Sequence, residues 1–141
     1  MIQIRFQKWL AEFLASQGAV AGTIHWHVQS EQGNGLELVA AVNIPPKVQE
    51  IVAWVPPGKG MAGQAFVQGI PIQTCNLKDD SSGAVRPGAK AVNAEAAVAL
   101  PVKTPSGEIA AIVGIAYNDQ RTFNVDDLGK LEHAASTVLS T

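Results

Sequence analysis

Cysteine occurs once in this sequence, at Cys75, so no internal disulfide can form and nothing points to an oxidising compartment. Charge is scarce as well: Asp, Glu, Lys and Arg make up 16% of the residues, and the net charge is −2. The ten Lys and Arg residues are scattered from Arg5 to Lys130 without a cluster. Binding nucleic acid by neutralising phosphates needs a basic stripe, so that partner class is excluded. No apolar run approaches the roughly 18 residues that span a bilayer. The best stretch, 109 to 117, is short and contains Gly114. The N-terminal segment MIQIRFQKWLAEFLASQ lacks the unbroken apolar core and small-residue cleavage site of a signal peptide. We therefore expect a cytoplasmic protein with no membrane partner.

What the sequence does have is a core. Hydrophobic residues make up 47% of its 141 positions, which suits one folded domain over residues 1–141. In residues 2–16, Ile2, Phe6, Trp9, Leu10, Phe13 and Leu14 recur at helical spacing, and Gly18 is a natural stop. AVAGTIHWHV reads as a strand with Val20, Ile24, Trp26 and Val28 on one face. Ala19, Ala21, Thr23, His25 and His27 share the other face. EQGNG turns the chain into a second strand from Leu36. Pro45 and Pro46 then open a short helix with Val48, Ile51, Val52 and Val55 as its stripe and Trp54 on it, ended by Pro56 and Pro57.

A loop and a short helix over 61–68 follow, then the strand IPIQTC. Residues 78–93 are polar and poorly periodic and read as a long loop. The strands EAAVALPVK and EIAAIVGIAYN are joined by the turn TPSG. The last helix is capped by Asn124, carries Asp126 and Asp127 in its first turn, and buries Leu128, Leu131, Ala135 and Val138.

Gly58, Gly60 and Gly63 form a G-x-G-x-x-G pattern, but a dinucleotide site needs a strand before it and a long helix after it. Here a helix ending in Pro-Pro precedes it and Gly69 stops the next helix after about two turns. No Lys-Ser or Lys-Thr follows at P-loop spacing either. The glycines are read instead as supplying positive φ after the prolines, with Gly63 allowing close helix-to-sheet approach.

The ordered stretch VPPGKGMAGQAFVQGIPIQTCNL followed by AAVALPVKTPSGEIAAIVGIAYNDQRTFNVDDLGKLEHAAS resembles the second half of a GAF domain. A Gly-rich helix start, a Gly-Xaa-Pro before a strand, an apolar-Pro-apolar strand end and a Phe-x-x-x-Asp lead into the final helix all stand in order. The resemblance implies an α+β, PAS-related fold: a central antiparallel sheet of about six strands, terminal helices on one face, short helices and the long loop on the other. A small-molecule pocket would lie between the sheet and the helices and loops of 46–93.

Within that family, sulfoxide reduction needs a thiolate and a resolving thiol. Ala62 stands where the resemblance would place the cysteine of the reductase branch, and Cys75 has no partner thiol. A bilin-type Cys-His pair is absent, since Asn76 follows Cys75. Phe123 and Asp127 match part of a cyclic-nucleotide pattern, but Leu128 replaces its Glu and no Asn-Lys pair occurs. His25 and His27 share a strand face, yet a metal needs further ligands that are not evident. No catalytic residue, metal site or particular cofactor is therefore assigned.

The small residues beside His25 leave volume, so its face is expected to look into the cavity, with the Trp26 face under the terminal helices. The candidate ligand-binding residues are His25, Trp54, Arg86, Asn93 and Glu95. Trp54 would be pocket wall or core, Arg86 would pair an anionic group, and Asn93 or Glu95 would fix a polar one. The expected protein is a stand-alone sensory or regulatory domain, homodimeric through its first and last helices with Trp9 or Phe13 as anchors, and answering to a signalling partner. The alternative is a protein interaction module whose pocket is filled.

Overall fold

Large and small side chains alternate along the central strands, and that alternation decides which layer covers each face of the sheet. The computed structural model describes residues 2–31, 33–74 and 95–141. In chain order the elements are α1 (Ile4–Gln17), β1 (Ala21–Ser30), β2 (Gly33–Val42), α2 (Pro46–Ile51), β3 (Trp54–Val55) and α3 (Gly60–Gln68). They continue with β4 (Ile72–Thr74), β5 (Ala96–Lys103), β6 (Ile109–Tyr117) and α4 (Val125–Ala135), which runs on into a 3-10 turn over Ser136–Ser140. The strands form one sheet in the order β3-β2-β1-β6-β5-β4, antiparallel at every join. This is the α+β architecture that the resemblance implies.

One face of the sheet is covered by α1 and α4. Phe6, Leu10, Phe13 and Leu14 of α1 meet Ile24 of β1, Val98 and Leu100 of β5, Val113 and Ile115 of β6, and Leu131 and Ala135 of α4. Each such side chain, fully buried, contributes roughly 1.5–3 kcal/mol. The helix ends are built as their sequences suggest. Gly18 closes α1 at φ +68, and Asn124 and Asp127 form a reciprocal capping box at the start of α4. Trp9 joins the two terminal segments, stacking on Phe13 at 4.8 Å and donating its Nε1–H to Thr137 Oγ1 at 3.0 Å. Phe13 is therefore core within one chain, and only Trp9 of the two expected dimer anchors keeps some surface. Ile2 lies before the helix and is exposed.

Two glutamine side chains act as pieces of strand. In the β1–β2 register His25 faces Leu38 and Ile24 faces Ala40, so Val39 is the extra residue of a bulge. Its freed carbonyl accepts the Gln3 N–H at 2.8 Å. Beside it the Gln7 amide reads both backbone groups of Ala41, donating Nε2–H to its carbonyl and accepting its N–H at Oε1. This closes part of the open edge of β2. Gln73 of β4 does the same to Phe123, with bonds of 2.9 and 3.0 Å, and so positions the chain for α4.

The structure corrects three sequence expectations. The helix after Pro45 stops at Ile51, and Trp54 and Val55 pair with Glu37 and Leu36 of β2. Val55 precedes Pro56, and a residue before proline is driven out of the helical region. Ala19 packs with the terminal-helix core and Val20 on the opposite side, reversing their expected faces, because regular pleating begins only at Ala21. Gly63 is needed against its own loop: a Cβ there would lie 2.7 Å from the Pro56 carbonyl oxygen and 3.0 Å from Gly58 N. Gly58 and Gly60 do adopt positive φ, as read from the sequence.

Two substitutions test these assignments by urea unfolding. Gln7→Ala strands both Ala41 backbone groups and is expected to lower stability by about 1–3 kcal/mol. Gly63→Ala forces the loop backbone apart at a cost of about 1–3 kcal/mol, whereas Gly129→Ala, with open space around it in α4, raises stability by up to about 1 kcal/mol.

Candidate functional site

On the second face of the sheet the alternation delivers small residues in register. Ala21, Ala116 and Ala97 form one row across β1, β6 and β5; Thr23, Gly114 and Ala99 form the next. The third row, His25, Ile112 and Pro101, is bulkier and bounds the floor. The same strands carry Ile24, Val113 and Leu100 toward the terminal helices, so the contrast in size between the two faces is encoded residue by residue.

Above this floor stand α2 and the start of α3. Val48 and Val52 come from α2 and its end, Val55 from β3, and Met61 and Ala62 from the first turn of α3. Side chains of alanine and glycine cannot reach across the gap, and a cavity of about 140 Å³ remains. Its lining is mostly apolar; Thr23 and His25 contribute the polar groups of the floor, and Lys59 is the charged residue on the lining among the described residues.

His25 is the chemically distinctive member of this wall. It is only 3% exposed, and its Nε2 lies 2.8 Å from the carbonyl oxygen of Val52. That oxygen can only accept, so the proton sits on Nε2 and Nδ1 carries a lone pair in the neutral ring. The bond also satisfies a carbonyl at the C-terminal end of α2, where helical acceptors are left over. Nδ1 has no hydrogen-bond partner among the described residues. Burial pushes the imidazole below its ordinary value of 6.5, against the weaker opposing pull of the Val52 carbonyl.

The remaining sequence candidates divide. His27 shares the face of His25 but turns to other partners: its ring lies 4.8 Å from that of Phe66 on α3, and its Nε2 is 3.3 Å from Asn34 Oδ1. Among the described residues no group of three or more His, Cys, Asp or Glu side chains is placed to hold a metal. Trp54 is neither core nor cavity wall. It is 42% exposed and lies over Gly35, where a Cβ would fall about 2.0 Å from the indole. Pairing with Glu37 of β2 turns it outward. Glu95 immediately precedes the first residue of β5, its N–H donating to Tyr117 O at 2.8 Å in a row off the floor, and it does not line the cavity. Arg86, Asn93 and Cys75 lie outside the described residues. The residues the candidate set missed are the small ones, Ala97, Ala99, Gly114 and Ala116; the alternation A-V-A-L and V-G-I-A carried that signal.

The histidine makes stability depend on pH. A folded-state value below 6.5 means the unfolded chain binds more protons just under that pH, so stability rises with pH through this window. The contribution is complete above 6.5 and is lost as pH falls toward the folded value. In chemical unfolding across pH 5–8, about three units spanning the histidine range, His25→Gln is expected to flatten this slope while the unaltered protein weakens toward acid.

The sequence profile of the GAF domain family matches residues 7–140. No curated relative matches the chain. Among solved structures, the GAF domain region of a Geobacter sulfurreducens PCA protein is similar at TM-score 0.75 and 15% identity, covering 97% of this chain and 89% of its own. The type II free methionine-R-sulfoxide reductase of Thermoplasma acidophilum is similar at TM-score 0.70 and 14% identity, with 96% and 88% covered. NreA of Staphylococcus aureus, mutated in its nitrate binding site, is similar at TM-score 0.72 and 14% identity, with 93% and 96% covered. At these identities the likeness is one of fold, and among the described residues no helix is long and apolar enough to cross a membrane. With the family profile running through nearly the whole sequence and the sheet, helices and cavity in the expected places, the chain belongs to the GAF domain family.

Proposed function

We propose that this chain is a sensory or regulatory GAF domain that binds a small molecule in the cavity between the sheet and α2–α3. The single observation that carries the reading is the pair of small-residue rows, Ala21-Ala116-Ala97 and Thr23-Gly114-Ala99, which hold about 140 Å³ open on one face of a sheet whose other face is packed by α1 and α4. Packed interiors rarely keep such a space without an occupant. A filled interaction module has no use for it, which favours a binding site over that alternative.

The domain acts without catalysis in this reading. Ala62 lines the cavity at the start of α3, and a methyl group can neither attack a sulfoxide nor carry a sulfenic acid. Ligand binding would be passed to α1 and α4 through the shared sheet, and from there to a second copy of the chain or a signalling partner in the cytoplasm.

Thermal unfolding against nucleotides, amino acids, purines, small anions, phenols and haem tests this reading. A saturable rise in Tm is expected for one chemical class, because a ligand selective for the folded state stabilises it by mass action. Ala97→Leu, which places a larger side chain on the cavity floor, is expected to abolish that rise while the protein stays folded. A flat response to every class, with no small molecule copurified, would favour the filled module.

A further inference from the structure

Among the described residues, the wall of the cavity holds one buried side-chain acceptor without a partner, and its chemistry limits what kind of molecule could complete it. His25 stands in the cavity wall nine-tenths buried, its Nε2–H committed to Val52 and its Nδ1 without a partner among the described residues. An unsatisfied buried polar atom is costly, and few survive in a folded protein without a purpose or a missing partner. Because the Val52 carbonyl fixes the tautomer, Nδ1 can be completed only by a donor. No other group of the described residues supplies one.

The rest of the lining bounds the molecule that could. About 140 Å³ is close to the roughly 150 Å³ of an apolar cavity that accepts benzene. Met61, Val48 and the alanine rows offer an apolar ring ordinary contact. Among the described residues no carboxylate lines the space to pair a cationic ligand, and Lys59 is exposed to water at its edge. Burying a charge beside these methyl groups is unfavoured.

Resting on the binding reading above, we infer that the cavity selects a compact, uncharged molecule of about one aromatic ring that carries an O–H or N–H, and that His25 Nδ1 is the acceptor for that donor. The opposing possibility is an anion drawn to Lys59 and to the unpaired N–H groups expected in the first turn of α3. The two differ in which probe binds.

Phenol, toluene and benzoate are the probes, titrated calorimetrically into the whole chain. Phenol is expected to bind about tenfold tighter than toluene, the equivalent of one hydrogen bond. In protein labelled with ¹⁵N-histidine, phenol is expected to shift the His25 Nδ1 resonance in the sense of a nitrogen accepting a hydrogen bond, while toluene leaves it in place. His25→Leu should erase the preference for phenol; if that variant does not fold, the labelled unaltered protein still decides. Equal affinities with an unmoved Nδ1 signal, or benzoate binding tighter than phenol, would overturn the inference. If none of the three binds but another class raises Tm, the inference falls and the sensory reading stands. If nothing binds at all, both fall.

Discussion

The register of β1, β6 and β5 is the constraint on which everything else in this domain depends. Because side chains alternate strictly along a strand, one register assigns Ile24, Val113 and Leu100 to the terminal-helix side and Thr23, Gly114 and Ala99 to the other. A slip of one residue would push the large side chains into α2 and α3 and leave the small ones under α1. The cavity is thus the complement of the core. Both follow from the same choice, and neither can be altered without the other.

Placed in that frame, His25 is where core and cavity meet. It belongs to the bulky row that bounds the floor, and it holds the end of α2 through Val52. Its neighbour on the same face, His27, reaches Asn34 and Phe66 instead. The two histidines, two residues apart, therefore fasten the two helices of the upper layer separately. One strand sets the position of both helices over the cavity.

Much of this was legible in the sequence because it is written in period. The alternation of β5 and β6, the stripes of α1 and α4, the capping residues around Asn124 and the face of β1 that carries His25 are local patterns with local causes. What was not legible depends on distant partners. Trp54 stands within the span of a helical stripe that runs from Val48 to Val55 yet lies on a strand, because Pro56 bars the helix and the edge of β2 offers pairing. Gly63 reads as a helix-to-sheet contact until the loop is seen folding back to bring Pro56 against it. The bond from His25 to Val52 spans 27 positions, and nothing in either residue's neighbourhood announces it. Glu95 was singled out by its chemistry alone, and the sheet carries it away from the floor.

The clasp of Gln7 on Ala41 has a mechanical meaning as well as an energetic one. A side-chain amide that satisfies both the backbone donor and the backbone acceptor of one residue fits at one position only. Displacing α1 along its axis by a single residue rise, about 1.5 Å, takes both bonds out of alignment together. With Gln3 seated on the bulge carbonyl of Val39 beside it, the helix is indexed to the sheet as a pawl is to a tooth. Graded sliding is denied to it. Any large motion of α1 over the sheet has to be a step, in which the clasp is either made or let go.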